Sequence, residues 1–184
     1  MTMTDDALLA RGAAGDDRSL RILVERWEGP VYSFLLRMLG SREEAQDLTQ
    51  ETFLRMIAAA DRYRADGRFR SWLFRIAGNQ ARSRLRRRKV IRWLSLDLVA
   101  VDPPAPVPDA LDRLAADQRR AGLRRHLAAL PERQRQAVVL KYEHDLSYQE
   151  IADAMQTTVA SVQMLLHRAT TALRGRLARE EDLT

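Results

Sequence analysis

The chain has no cysteine, only two lysines, few glycines and no long apolar run. Without cysteine there is no disulfide, no thiolate zinc site and no redox sensing by the chain's own thiols. No stretch approaches the ~20 consecutive apolar residues of a membrane span. The first residues, Met1 to Asp6, are polar and acidic, unlike a secretory leader. These shortages predict a soluble, cytoplasmic protein with no metal site. Nothing in the sequence calls for a cofactor. Scarce glycine and the lack of strict apolar alternation argue against strands.

What remains is rich in arginine. Basic residues number 31 against 25 acidic ones, for a net charge of +6, and Lys89 and Lys141 are the only lysines. Such a balance suits an anionic partner, and the planar guanidinium suits phosphates and base edges. A GC-rich genome would enrich arginine equally well, so the inference rests on where the arginines fall.

Helical texture runs from about Leu8 to Leu39, with an interruption expected near Gly29 and Pro30 and a stop at Gly40. Ser41 stands three residues before Glu44, a capping-box spacing that opens a second helix to about Asp61. After a turn at Asp66–Gly67, a third helix is expected from Phe69 to Lys89. Four of the six prolines then crowd into residues 96–109 together with Asp97, Asp102 and Asp109. That segment lacks the apolar groups to fold alone and reads as a linker. The expected architecture is therefore all-α: two small helical domains (1–92 and 110–184) joined by an extended acidic, proline-rich linker (93–109).

In the second domain, Ser147 and Glu150 form another capping box. A short helix to Met155, a tight turn and a helix capped by Thr158 follow. Val159, Val162, Leu166, Ala169 and Leu173 recur at 3- and 4-residue steps and form a buried stripe. Ala160, Ser161, Gln163, Met164, His167 and Arg168 face the other way. This is helix-turn-helix geometry, used to read DNA, although purely structural helical hairpins share it.

On the third helix, Arg75, Asn79, Arg82 and Arg86 form a polar stripe beside the apolar one. Six cations lie between Arg82 and Lys89. At that density they repel one another unless an anion intervenes, and phosphate is the natural anion. Upstream, Arg62, Arg64, Arg68 and Arg70 alternate with Tyr63, Phe69 and Trp72, a mixture suited to stacking unpaired bases. Phe69 and Trp72 also fit an ordinary core. On the second helix, Asp47, Gln50, Glu51 and Leu54 share the outward side, where a leucine flanked by carboxylates makes either a protein-docking patch or a plain solvated face.

Five strings carry a family resemblance: Asp47 to Arg55 (DLTQETFLR), Phe69 to Ala77 (FRSWLFRIA), Leu130 to Arg135 (LPERQR), Leu146 to Ala152 (LSYQEIA) and Leu166 to Ala169 (LHRA). In this order around an acidic linker, the sequence resembles the extracytoplasmic-function (ECF) group of RNA polymerase sigma factors over about residues 5–178. The resemblance implies promoter-directed transcription initiation by a non-enzyme. It implies docking on core RNA polymerase through Asp47, Gln50, Glu51 and Leu54. Opening of the −10 promoter element is implied for Arg62, Arg64, Arg68, Phe69, Arg70, Trp72, Arg75, Asn79, Arg82 and Arg86. Reading of the −35 element is implied for Thr158, Ser161, Gln163, Met164, His167 and Arg168. An anti-sigma factor is an implied partner, and the linker is implied to thread through polymerase. Gln156 stands where the family usually has glycine, and Gln163, Leu165 and Thr170 stand where it often has cations. A helix-turn-helix regulator acting without polymerase is the alternative, but it has no use for the acidic docking face. A metal-dependent nuclease built on Glu43, Glu44, Asp47 and Glu51 fails on spacing, because the first two fall on other faces.

Overall fold

Aspartates open the chain's first two helices. In the computed structural model, which describes residues 3–94, 122 and 125–181, α1 (Asp5–Ala13) carries Asp5 and Asp6 in its first turn. Carboxylates there complement the helix dipole. The chain reverses at Gly15, and Asp16 caps α2 (Asp17–Leu39) by accepting from the Arg18 and Ser19 amides at 3.1 and 3.3 Å. The expected interruption at Gly29–Pro30 is corrected: Pro30 lies inside α2. Gly29 has no Cβ to crowd the proline ring, and buried Leu23, Val31 and Phe34 hold the helix on either side. α1 lies close on α2, since a Cβ at Gly12 would sit 2.3 Å from Leu20 Cδ2.

Gly40 ends α2 with a left-handed cap, and Ser41 starts α3 (Arg42–Ala58) by accepting from the Glu44 amide at 3.4 Å. Only half of the expected capping box forms, because the Glu44 carboxylate is drawn to Arg84 and Arg88. A short 3-10 turn (Ala60–Arg62) and a loop lead into α4 (Phe69–Leu94). Nothing between Lys89 and Leu94 breaks a helix, so α4 runs past the expected boundary at residue 92. The remainder of the expected linker, with its three aspartates, lies outside the described residues, as does the stretch 110–121.

The second group comprises a helical turn at 125–128, α5 (Glu132–Tyr142), α6 (Tyr148–Met155) and α7 (Val159–Glu181). Among the described residues, regular structure is helical throughout and no helix is long and apolar enough to cross a membrane. Phe34, Leu35, Met38, Met56, Leu73 and Phe74 fill the centre of the first group; Leu140, Leu146, Ile151, Val162 and Ala169 fill the second.

The two groups touch. α6 lies along α4, and α5 meets the end of α2. The buried Arg135 guanidinium donates to the Met38 carbonyl at 2.6 Å and, at home, to those of Ala128 and Leu130. His144 stacks against Phe74 at 4.7 Å between ring centres.

Candidate nucleic-acid and protein-docking surfaces

On α3, buried Ala45, Leu48, Thr52 and Met56 fix which side faces the core. Asp47 and Gln50 are therefore exposed, Leu54 is 67% exposed, and half-exposed Glu51 accepts from Arg55 Nε at 2.9 Å. The four expected docking residues thus share one open face. Sequence reasoning missed their apolar surroundings: Val24 and Glu28 of α2 join Phe53, Leu54 and Ile57 around a groove of about 300 Å³. Ile57, three residues beyond Leu54, was the available signal.

The loop before α4 is pinned from a distance. The Tyr63 hydroxyl donates to Asp6 Oδ1 at 2.7 Å, and the Gly67 amide donates to the same oxygen at 3.1 Å. Burial first, then this carboxylate, raises the Tyr63 phenol well above its ordinary range. Tyr63 packs on Trp72 with ring centres 4.6 Å apart. Together with Arg62, Arg64, Arg68 and Arg75 they line a cleft of about 490 Å³ whose far wall is Asp153, Gln156 and Thr157 of the second group. Phe69 is corrected: at 2% exposure it belongs to the core and supports the loop from beneath. Trp72 is half-buried and reaches the cleft.

The cation cluster is also corrected in part. Unpaired repulsion was the expectation, yet Arg84 and Arg88 both meet Glu44, and Lys89 meets Glu132 at 2.6 Å. Arg82 donates to Gln136 Oε1 at 2.6 Å and to Asn79. Burial, then Arg133 and Arg86, lowers the Arg82 proton affinity. Arg68 faces Asp153 at 3.3 Å and Arg70 faces Glu150 at 3.9 Å. Asn79 and Arg86 remain exposed.

The helix-turn-helix is built as its sequence implies. Ser147 and Glu150 complete their capping box, with contacts of 3.2 and 2.8 Å. Gln156 takes the left-handed turn position with φ +51°, at a cost of about 1 kcal/mol for a residue with a Cβ. Thr158 caps α7 through the Ser161 amide at 3.2 Å and also hydrogen-bonds the Ser161 hydroxyl. Both hydroxyls thus have a local partner. Gln163, Met164, His167 and Arg168 are exposed together. Leu165 packs against the core, and Thr170 donates back to the Leu166 carbonyl at 3.0 Å. Neither position lies on the open face, so only Gln163 stands there in place of a family cation.

Comparison with known proteins follows the same division. Residues 23–90 match the family model for sigma-70 region 2, and residues 122–173 match that for sigma-70 region 4. The chain is 32% identical to the RNA polymerase sigma-H factor of Pseudomonas aeruginosa, covering 92% of this chain and 91% of that one. It is 30% identical to the ECF sigma-E factor of Escherichia coli, over 93% of both. It is 29% identical to the ECF sigma factor SigW of Bacillus subtilis, over 89% and 91%. Its fold resembles that of CnrH in complex with the cytosolic domain of CnrY, with TM-score 0.71 and 26% identity over 95% of this chain and 97% of that chain. The sigma factor RpoE solved with the anti-sigma factor NepR from Bartonella quintana shares the fold, with TM-score 0.68 at 21% identity over 86% and 96%. With matches over both helical groups and nearly the full length of its relatives, the chain belongs to the ECF group of sigma-70 family sigma factors, which are transcription-initiation factors and not enzymes.

Proposed function

We propose that this sigma factor docks on core RNA polymerase through the α3 face, engages the −10 element with the 62–70 loop and α4, and reads the −35 element with α7. Residues up to Leu94 form the first functional unit, residues 110–184 the second, and the acidic segment between them is the part that threads polymerase. The protein works in the cytoplasm, where promoter DNA is, and an anti-sigma factor, the kind of partner with which the sigma factor RpoE was solved, is its natural antagonist.

The observation that carries this reading is the α3 face. Leu54 and Ile57 expose apolar area beside a groove, and Asp47 and Glu51 flank them with negative charge. The leucine supplies burial and the carboxylates set orientation. In the −10 unit, Arg75 and Arg86 hold backbone phosphates, Trp72 and Tyr63 offer a ring surface to an unstacked base, and Asn79 supplies a base-edge donor and acceptor. In the −35 unit, Gln163 suits the N6 and N7 of adenine, and Arg168 suits a phosphate or guanine.

Charge reversal at Asp47→Arg with Glu51→Arg tests the docking. Both positions face away from the core, so helicity should be kept while co-purification with core polymerase is lost. Undiminished co-purification of a folded double variant would overturn the assignment.

A further inference from the structure

We infer that Asp6, in the first turn of α1, is a positioning residue for promoter opening: one of its carboxylate oxygens ties down both ends of the loop before α4 and so sets which unstacked base that loop accepts. This rests on the reading of the loop as the part that engages the −10 element. It extends that task to a helix 57 positions upstream of the loop.

The anchor is a single atom. Asp6 Oδ1 accepts from the Tyr63 hydroxyl at 2.7 Å and from the Gly67 amide at 3.1 Å. Between those two points run Arg64, Ala65 and Asp66, all exposed and none helical. Their own bonds are slight. The Asp66 amide donates to the Arg64 carbonyl at 2.9 Å, and the Asp66 carboxylate faces Arg68 at 3.5 Å in an exposed pair of the weak kind. Gly67 turns the chain at φ +77°, where a residue with a Cβ would be strained. A segment with so little support of its own takes its order from outside, and Asp6 supplies it.

The anchor is itself fixed. Leu8 and Leu9 bury one side of α1, Gly12 lets Leu20 of α2 come close, and Arg26 of α2 meets Asp5. α1 also lies along the 3-10 turn that leads into the loop. The Tyr63 ring is then held at two points, at its hydroxyl by Asp6 and at its face by Trp72, with ring centres 4.6 Å apart. Its one hydroxyl proton is taken up by Asp6, so towards a base Tyr63 presents its ring and acceptor lone pairs only. The Tyr63–Trp72 ring surface and the backbone that carries Arg64 and Arg68 thus keep one arrangement. A preorganised surface discriminates among ligands better than a loose one. Both donors to Asp6 are uncharged, so salt screens this clamp far less than it screens contacts to phosphate.

Asp6→Ala removes the acceptor. Thr4 and Asp5 remain to open α1, with Thr4 accepting from the Ala7 amide at 3.3 Å, so the fold should be kept. In the full-length chain, trypsin cleavage after Arg64 should become about tenfold faster than in the parent, with cleavage inside the helices unchanged. Parent and variant are next assembled with bacterial core RNA polymerase and given a pool of random-sequence single-stranded DNA 12-mers, and the retained oligonucleotides are sequenced. Asp6→Ala should lower the base preference about five- to tenfold at one or two adjacent positions, while co-purification with core polymerase and the remaining preferences stay as they were. Asp6→Asn keeps an acceptor oxygen and should recover most of the loss. Tyr63→Phe removes one of the two donors without touching α1; it should lose less than Asp6→Ala and add nothing to it in the double variant. Full base preference in folded Asp6→Ala overturns the inference and leaves the −10 reading of the loop standing. A loss spread evenly over all positions, with faster cleavage throughout the chain, shows a general folding role and also overturns it. If the parent holoenzyme retains the oligonucleotides without base preference, or retains none, the −10 reading falls and the inference falls with it. Should Asp6→Ala fail to fold, Tyr63→Phe decides alone, and undiminished preference there overturns the inference.

Discussion

Helix α4 packs six cations between Arg82 and Lys89, whereas the open face of α7 offers Gln163, Met164, His167 and a single permanent charge at Arg168. The charged helix is the one that is paired: four of its six cations have partners within the protein, two of them on α3 and two on the second group. The nearly neutral helix is open. A strongly basic surface attracts any polyanion, and here part of that attraction is met by the protein's own carboxylates and amide oxygens. A weakly charged surface attracts little without a matching base edge.

Half of that pairing depends on the two groups staying docked, and Arg135 is where the largest effect is expected. Arg135→Leu leaves the Met38, Ala128 and Leu130 carbonyls without their donor. A loss of about 2–4 kcal/mol in urea unfolding is expected. A change within experimental error would show that water replaces the guanidinium without cost.

Acid should loosen the same contact. Burial, then the nearby Arg70 charge, pushes His144 down to about 4. Its Nε2 is buried without a partner, and Glu143 next to it is taken by Arg37 at 2.7 Å. The docked state therefore prefers the neutral ring. Its contribution is complete above the ordinary histidine value near 6.5 and declines as pH falls from there towards 4. In a chain carrying Gly78→Cys and Gln136→Cys, where α5 touches α4, cystine formation should accordingly be less complete at pH 5 than at pH 7.5, when both samples are oxidised by the same pH-independent oxidant. His144→Phe should abolish the difference.

Exchanging charge between the helices should bring their behaviour together. Arg86→Ala on α4 should flatten the salt dependence of single-strand binding by roughly 0.7 of a slope unit, and Gln163→Lys on α7 should steepen that of duplex binding by roughly 0.9. Unchanged slopes would remove both side chains from the phosphate-facing set.

The smallest effect is expected at the turn. Gln156→Gly relieves a left-handed residue at φ +51° and should stabilise the second group by about 0.5–1 kcal/mol, seen as a rise in Tm. A fall in Tm would mean that the Gln156 side chain contributes more than its backbone costs.

Local patterns made the α3 face, the α7 stripe and the left-handed Gln156 legible in the sequence, because each is fixed by residues three or four apart. What escaped depends on distant partners. Glu44 neutralises Arg88 across 44 positions, and Asp6 holds Tyr63 across 57. No periodicity encodes such pairs, so the cluster at the end of α4 reads as more naked than it is. The uninterrupted course of α2 through Pro30 escaped for a related reason: burial on both sides outweighs one missing backbone donor. Phe69 was ambiguous between core and base contact, and only packing against Trp27 and Tyr63 assigns it inward.

Arg135 reaches a carbonyl 97 residues upstream. On a ribosome adding about 5–20 residues per second, that guanidinium arrives roughly 5–20 s after its acceptor. In the interval the nascent chain already holds α1 to α4, with Glu44 beside Arg84 and Arg88 but none of the second group's oxygens near Arg68, Arg70 and Arg82. Newborn protein thus passes through a stage in which the first group stands without the second, and how soon the rest of the chain follows sets how long that stage lasts.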